Sequence, residues 1–236
     1  VTFNIIVIDG LSTDGSKEEV IRFQQKNSNI ILLENKKRFT PISFNIGIRH
    51  SDSDVVGIFS AHSIPSNTYI STAIDVLIST NADCVGGPMT AISNSIVGKA
   101  ISYTTSTPLG VGNSIFHYSK KPGYVNTVYQ GFFYKNIFSQ IGYFDEDLVR
   151  NQDDELSYRI LKFGGSIYYE PKIKSVYHSR SNIKKLFVQY FQYGLYKPLV
   201  FIKTKHGMQI HHFVPALFVF YLFGFLIFFK SFYYFF

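Results

Sequence analysis

The chain has 236 residues, room for one sizeable domain or one domain and a tail, and its 46% hydrophobic content with 17% aromatics argues against disorder. A single cysteine, Cys84, excludes an internal disulfide and a cysteine-built zinc site, which suits a reducing compartment. The net charge of +7 is unevenly placed: no Asp or Glu follows Glu170, whereas nine Lys and Arg do, leaving 14 basic against 16 acidic residues in the first 170. A basic tail of this kind fits nucleic acid or an anionic membrane surface. No signal peptide opens the sequence, and Val1 leads directly into a strand-like run, so a preceding segment is expected.

Phe3 to Ile8 is a run of strand length, apolar but for Asn4, as expected for a strand buried on both faces of a parallel sheet. A turn cluster follows from Asp9 to Gly15, and Ser16-Lys17-Glu18-Glu19 reads as a capping box that opens a helix. Asn29 to Leu33 predicts the next strand, and Thr40-Pro41 an N-cap and first helical residue. Val55 to Phe59 and Ala82 to Val85 predict two further strands, with a helix from about Asn67 between them. Such alternation implies an α/β fold with a mainly parallel sheet flanked by helices. Ligands of these sheets bind at the carboxyl ends of the strands, where Asp9, Ser60 and His62 stand.

The stretch from Tyr129 to Gly165 carries the acidic run Gln152-Asp153-Asp154-Glu155 just before a helical pattern. Leu156, Ile160 and Phe163 recur at the spacing of one helix face, with Asn151 as N-cap and Gly164-Gly165 as stop. Asp153 falls on that apolar face, where partial burial and neighbours set a carboxylate's pKa for acid–base work. Acids in a first turn also simply complement the helix dipole, and that alternative stays open on this run alone.

Beyond Pro171 the character changes. Ile183, Leu186, Phe187, Tyr190, Phe191 and Leu195 predict a helical stripe with Lys184 and Lys185 off it, a pattern that can lie in a membrane interface or pack on a domain. Phe213 to Phe229 then runs for 17 residues without a charge, close to the ~20 needed to span a bilayer, with Lys230 placed to snorkel. The expected division is a globular domain over 1–180, a basic interfacial segment over 181–207 and a membrane segment over 208–236. The tail's aromatics are explained by membrane lipids, so no nucleic-acid partner is expected.

Taken together, these motifs resemble the family-2 glycosyltransferases, and among them the membrane-attached bacterial exopolysaccharide enzymes of the succinoglycan type. The resemblance covers most of the chain from Val1 to about Lys197. Ile5 to Gly10 with Ser12-Thr13-Asp14 resembles the second strand and turn of the family's GT-A fold, implying that Asp9, Ser12 and Asp14 bind the nucleotide. Asn45-Ile46-Gly47 is similar to the family's Asn-x-Gly helix. Ala61-His62-Ser63 with Pro65 and Tyr69 resembles a variant of the metal-binding Asp-x-Asp motif, implying a metal or phosphate role for Ser60 and His62. Segments at Tyr129 to Phe133, Gly142 to Glu146 and Asp153 to Arg159 match the acceptor-side half, implying that Gln130, Gly131, Asp145, Glu146, Asp154 and Arg159 serve the acceptor.

Anchored on Arg159, the family's Glu-Asp pair falls on Gln152-Asp153, so the resemblance implies Asp153 as general base. It further implies an inverting transfer from a nucleotide-sugar donor, UDP-linked, to a glycan or lipid-linked acceptor, with Mg²⁺ or Mn²⁺ at the diphosphate. The catalytic domain would sit on the cytoplasmic face of the cell membrane. Two departures stand out: Ser60 occupies the place of the motif's first Asp, and the family's first strand would precede Val1. They favour a second reading, a glycosyltransferase-like membrane scaffold without catalysis.

Overall fold

A computed structural model describes residues 2–112, 114–179, 182–205 and 213–233, with the side chains of 109, 215 and 226–233 left aside. The chain opens with β1 (Ile5–Asp9), α1 (Ser16–Gln24), β2 (Ile30–Glu34) and α2 (Thr40–His50). β1 and β2 pair in parallel from Ile5↔Ile30 to Asp9↔Glu34, and only with each other among the described residues. β1 is therefore less buried than its apolar run predicts: Ile5 is 43% exposed and only Asp9 is buried. The expected capping box does not form. Gly15 adopts the left-handed conformation before α1 (φ 85°), and the Asp14 carboxylate accepts the Ser16 amide instead. α2 starts one residue earlier than expected, with Phe39 at its N-cap and Thr40 already helical, and Pro41 lies in the first turn, where its missing N–H costs nothing.

Next come β3 (Val55–Gly57), β4 (Ser63–Pro65), α3 (Tyr69–Thr80), β5 (Cys84–Gly87) and β6 (Met89–Ile92). The Ser/Thr/Gly-rich stretch after them forms α4 (Ile96–Thr104), the short α5 (Pro108–Val111), a 3-10 turn (Ile115–His117) and β7 (Gly123–Tyr124). β8 (Tyr129–Tyr134), α6 (Ile137–Ile141), α7 (Gln152–Lys162), β9 (Ile167–Tyr169) and β10 (Ser175–His178) complete the body. Two helices come last, α8 (Ile183–Thr204) and α9 (Val214–Tyr233).

The central sheet has the order β3-β8-β5-β9-β7, and a smaller one β4-β10-β6. The expectation of a mainly parallel sheet is corrected here. β8 lies antiparallel to both β3 and β5, β7 antiparallel to β9, and only β5–β9 is parallel in this sheet. β8 is buried along almost its whole length, and its sense is set by its pairing with β3 and β5, which no local pattern in YQGFFY marks.

Strand alternation divides the core in two. Cys84 and Phe133 turn to one face, where Leu156 and Ile160 of α7, Ile137 and Phe138 of α6 and Ile48 of α2 cover them. Val85 and Phe132 turn to the other, under Tyr69, Ala73 and Leu77 of α3. α7 is thus fixed over the sheet by two fully buried side chains, while Phe163, expected on the same face, is 57% exposed. Gly164 (φ 90°) ends it, and the Gly165 amide returns to the Ile160 carbonyl.

α8 passes through Pro198 without ending and splits its apolar residues between two sides. Leu186 is half-buried against the body, whereas Ile183, Phe187, Phe191 and Leu195 face outward, each more than 60% exposed. In α9 the described side chains, up to Phe225, are likewise exposed. Among the described residues no helix is long and apolar enough to cross a membrane. The end of the 213–229 segment and Lys230 lie outside the described side chains.

Candidate active site

At the end of β1 the Asp9 carboxylate accepts the Ser12 amide at 3.1 and 3.3 Å. The hydrogen bonds from Ser12 outweigh burial and hold Asp9 below the usual carboxylate range. Asp14, exposed, is lowered by its bond to Ser16. Asp9, Ser12 and Asp14 thus form one self-contained loop at a strand end. Arg38, left-handed at φ 61°, lies beside Gly10, where an added Cβ would come within 3.9 Å of it. Sequence reasoning passed over this Lys36-Lys37-Arg38 loop, whose triple positive charge was its signal.

The Ser60–Ser63 turn follows β3. The Ser60 hydroxyl accepts the His62 amide at 3.3 Å, and its carbonyl accepts the Ser63 amide and hydroxyl. Both Ser60 and His62 are close to solvent. Ser63 is bonded by the Gln130 side-chain amide. Gln130 itself sits at φ 51°, where the β5–β8 register slips, and the other end of its buried amide has no partner among the described residues. A left-handed non-glycine residue costs about 1–3 kcal/mol and survives only where its surroundings enforce it. The strain here keeps Gln130 turned toward the His62 turn. Beside it, a Cβ on Gly131 would lie 2.8 Å from the Cys84 sulfur, so glycine is required there for packing.

Asp153 opens α7. Asn151 sits at the N-cap in a left-handed conformation, but its side chain makes no cap; it donates to the Tyr193 carbonyl of α8 at 3.2 Å. The Asp153 carboxylate is reached by solvent yet is crowded by surrounding protein. Burial first, and the like charge of Asp154 second, raise its pKa to about 6. Lys197 of α8 opposes that rise; its Nζ stands 2.8 Å from the Asp154 carboxylate. Tyr193 feels the same carboxylate: burial first, then Asp153, pushes its hydroxyl upward. Asp153 is thus a carboxylate whose proton affinity is raised to about 6, at a helix start tied to α8 about 40 residues later in the chain.

The remaining expected acceptor-side groups are engaged by the protein itself. Arg159 makes a two-pronged pair with buried Glu155, both contacts 2.7 Å, and donates to the carbonyls of Ile141, Gly142 and Tyr143. Glu146 accepts from Asn45, whose amide also spans Phe144 in both directions. Asp145 and Asp147 hold Lys203 of α8 at 2.6 and 2.8 Å. These bonds fix the loop between α6 and α7, and through it the start of α7. Lys197 and Lys203 escaped the sequence reading because nothing local marks a partner more than 40 positions away.

A divalent cation needs several hard oxygen donors. Ser60 and His62 offer a hydroxyl and an imidazole with no carboxylate beside them, and no group of three His, Cys, Asp or Glu among the described residues is arranged to hold a metal. The side chains at this turn do not by themselves make a cation site.

The geometry can be set beside known proteins. Over 209 residues the chain is 31% identical to the "Dolichyl N-acetyl-alpha-D-glucosaminyl phosphate 3-beta-D-2,3-diacetamido-2,3-dideoxy-beta-D-glucuronosyltransferase" of Methanococcus voltae, covering 85% of this chain and 65% of that protein. Over 213 residues it is 27% identical to the succinoglycan biosynthesis protein ExoA of Rhizobium meliloti (strain 1021), covering 89% and 64%. The chain therefore spans somewhat less than two thirds of either relative's length. Among solved structures, the mannosyltransferase PcManGT from Pyrobaculum calidifontis, in complex with GDP-Man and Mn²⁺, superposes with a TM-score of 0.61 at 16% identity, covering 91% of this chain and 58% of that one. GalNAc-T7 with UDP, GalNAc and Mn²⁺ gives 0.58 at 16% identity, covering 75% and 38%. These two likenesses speak for the fold, a GT-A-like α/β arrangement of mixed sheets with flanking helices. The sequence model of Glycosyl transferase family 2 matches residues 2–142, from before β1 to the end of α6, and on that match the chain belongs to glycosyl transferase family 2.

Proposed function

We propose that this chain carries the catalytic domain of an inverting glycosyltransferase that moves a sugar from a nucleoside-diphosphate donor, UDP-linked, to a glycan or lipid-linked acceptor in polysaccharide synthesis. Asp153 takes the proton of the acceptor hydroxyl. The freed oxygen attacks C1 of the donor sugar, a C–O bond forms there, and the bond from C1 to the diphosphate oxygen breaks as the nucleoside diphosphate leaves with its electron pair. The observation that carries this reading is the placement of Asp153: open to solvent, at the head of a helix locked over the core, and raised to about 6. The Asp9–Ser12 loop would hold the nucleotide, consistent with its bent backbone and lowered carboxylate. Any Mg²⁺ or Mn²⁺ at the diphosphate would need oxygen donors beyond the Ser60–His62 turn.

Asp153→Asn should abolish transfer without unfolding the protein. An amide cannot accept the proton, and loss of a general base typically costs about 10²–10⁴-fold. An active Asp153→Asn beside a silent Asp154→Asn would reverse the assignment.

The site would work on the cytoplasmic face of a membrane, with α8 lying in the interface and the segment after it inserted. The outward apolar side of α8, flanked by Lys184 and Lys185, supports this. A catalytically silent membrane scaffold is the second reading, and the hydroxyl of Ser60 in place of an acid is the observation that favours it.

A further inference from the structure

A cavity of about 110 Å³ lies between the inner side of α8 and the strands β6 and β10. Its walls carry Tyr190 and Tyr193 from α8, Tyr177 from β10, His117 from the 3-10 turn, and Thr105 at the end of α4. None of these residues was singled out for the acceptor by sequence. The walls combine aromatic rings with polar groups, which is the chemistry of a carbohydrate ring: apolar C–H faces that stack on tyrosines, and a rim of hydroxyls that need partners. His117 supplies one such partner. Its Nδ1 is buried with no hydrogen bond among the described residues, and burial lowers the ring's pKa to about 4, so it is neutral and carries one donor and one acceptor nitrogen.

The cavity also lies in the right direction from the base. Tyr193 forms part of its wall, its carbonyl accepts from Asn151 at the head of α7, and its hydroxyl is acted on by the Asp153 charge. On the far side of the same helix Phe187, Phe191 and Leu195 are exposed. We propose that this cavity receives the acceptor's reacting sugar ring, stacked on Tyr177 and Tyr190 and hydrogen-bonded by His117, with a membrane-borne acceptor entering along α8. The proposal rests on the transferase reading above and names the substrate class of that site.

Saturation-transfer NMR on the full chain tests it, with the methyl glycosides of glucose, galactose, N-acetylglucosamine and glucuronic acid as probes. At least one should give a signal. That signal should be lost in Tyr190→Leu, whose ring is partly exposed and not part of the core, and in Ala91→Phe, which fills the cavity from β6. It should survive in Asp153→Asn. Absence of any signal, persistence in both cavity variants, or displacement by UDP-sugars that would mark a donor pocket, each overturns the proposal. Two variants on facing walls guard against one failing to fold, which circular dichroism would reveal. Should glycoside binding follow the cavity while Asp153→Asn still transfers sugar, the cavity stands and the assignment of the base falls.

Discussion

Asp153 is flanked by Asp154, Lys197 and Tyr193, with Arg150 acting on the last of these, and this set fixes its response to pH. A general base works deprotonated, so transfer should rise as pH increases through about 6. Removing the like charge in Asp154→Asn favours the ionised base and should shift that limb to lower pH. Removing the cation in Lys197→Met should shift it upward. Either change is expected to be roughly one unit, the scale of a charge a few ångströms away, and rate profiles of the three proteins check it. A profile unmoved by both variants would mean that another group governs the limb. Ser60 poses the converse question, because its turn lacks an acid. Ser60→Asp should tighten UDP binding in the presence of Mn²⁺ by about 1–3 kcal/mol, the scale of a charge-assisted contact. Calorimetry with and without Mn²⁺ reads this directly, and equal affinities for the two proteins would remove Ser60 from the nucleotide site.

Among the elements, α7 matters most, since two apolar residues and one ion pair hold the base in place. Ile160→Ala opens a cavity in a fully buried position and should cost about 2–5 kcal/mol. Glu155→Ala leaves the Arg159 guanidinium without its carboxylate. With side-chain exposures of 22% for Arg159 and 6% for Glu155, the loss should sit near the lower end of the roughly 3–5 kcal/mol seen for broken buried pairs. Denaturant unfolding measures both, and a loss below about 1 kcal/mol would show that α7 is held by other means. The helix was legible because its signals are local: the i, i+4 repeat of Leu156 and Ile160, and glycines at its end. Other features were not. Phe163 fits the same periodicity but falls at the C-cap, beyond the covered face. Asn151 has the composition of a cap and instead reaches across to α8. The direction of β8 was hidden because a strand's sense is set by its partners, here β3 and β5, which lie far away in the chain. Among candidate site residues, Asp153 is proposed from local pattern and resemblance together, whereas His117 and Tyr193 meet only in the folded chain.

At the scale of the whole molecule, charge and apolar surface are segregated toward α8 and the segment after it. If this end holds the protein on a bilayer, each Lys near an anionic surface adds about 1 kcal/mol. A chain ending at Lys205 should be released from vesicles by high salt, while the full chain should need detergent. Release of the full chain by salt alone would contradict an inserted segment. The two sides of α8 carry a kinetic consequence as well. Its inner side walls the cavity and its outer side presents Phe187, Phe191 and Leu195, so an acceptor dissolved in the bilayer would be met by diffusion in two dimensions and a nucleotide sugar by diffusion in three. The acceptor's operative concentration is then its number per unit area. Diluting it with inert lipid at a constant total amount should slow turnover, while saturation by the donor continues to follow its concentration in bulk water.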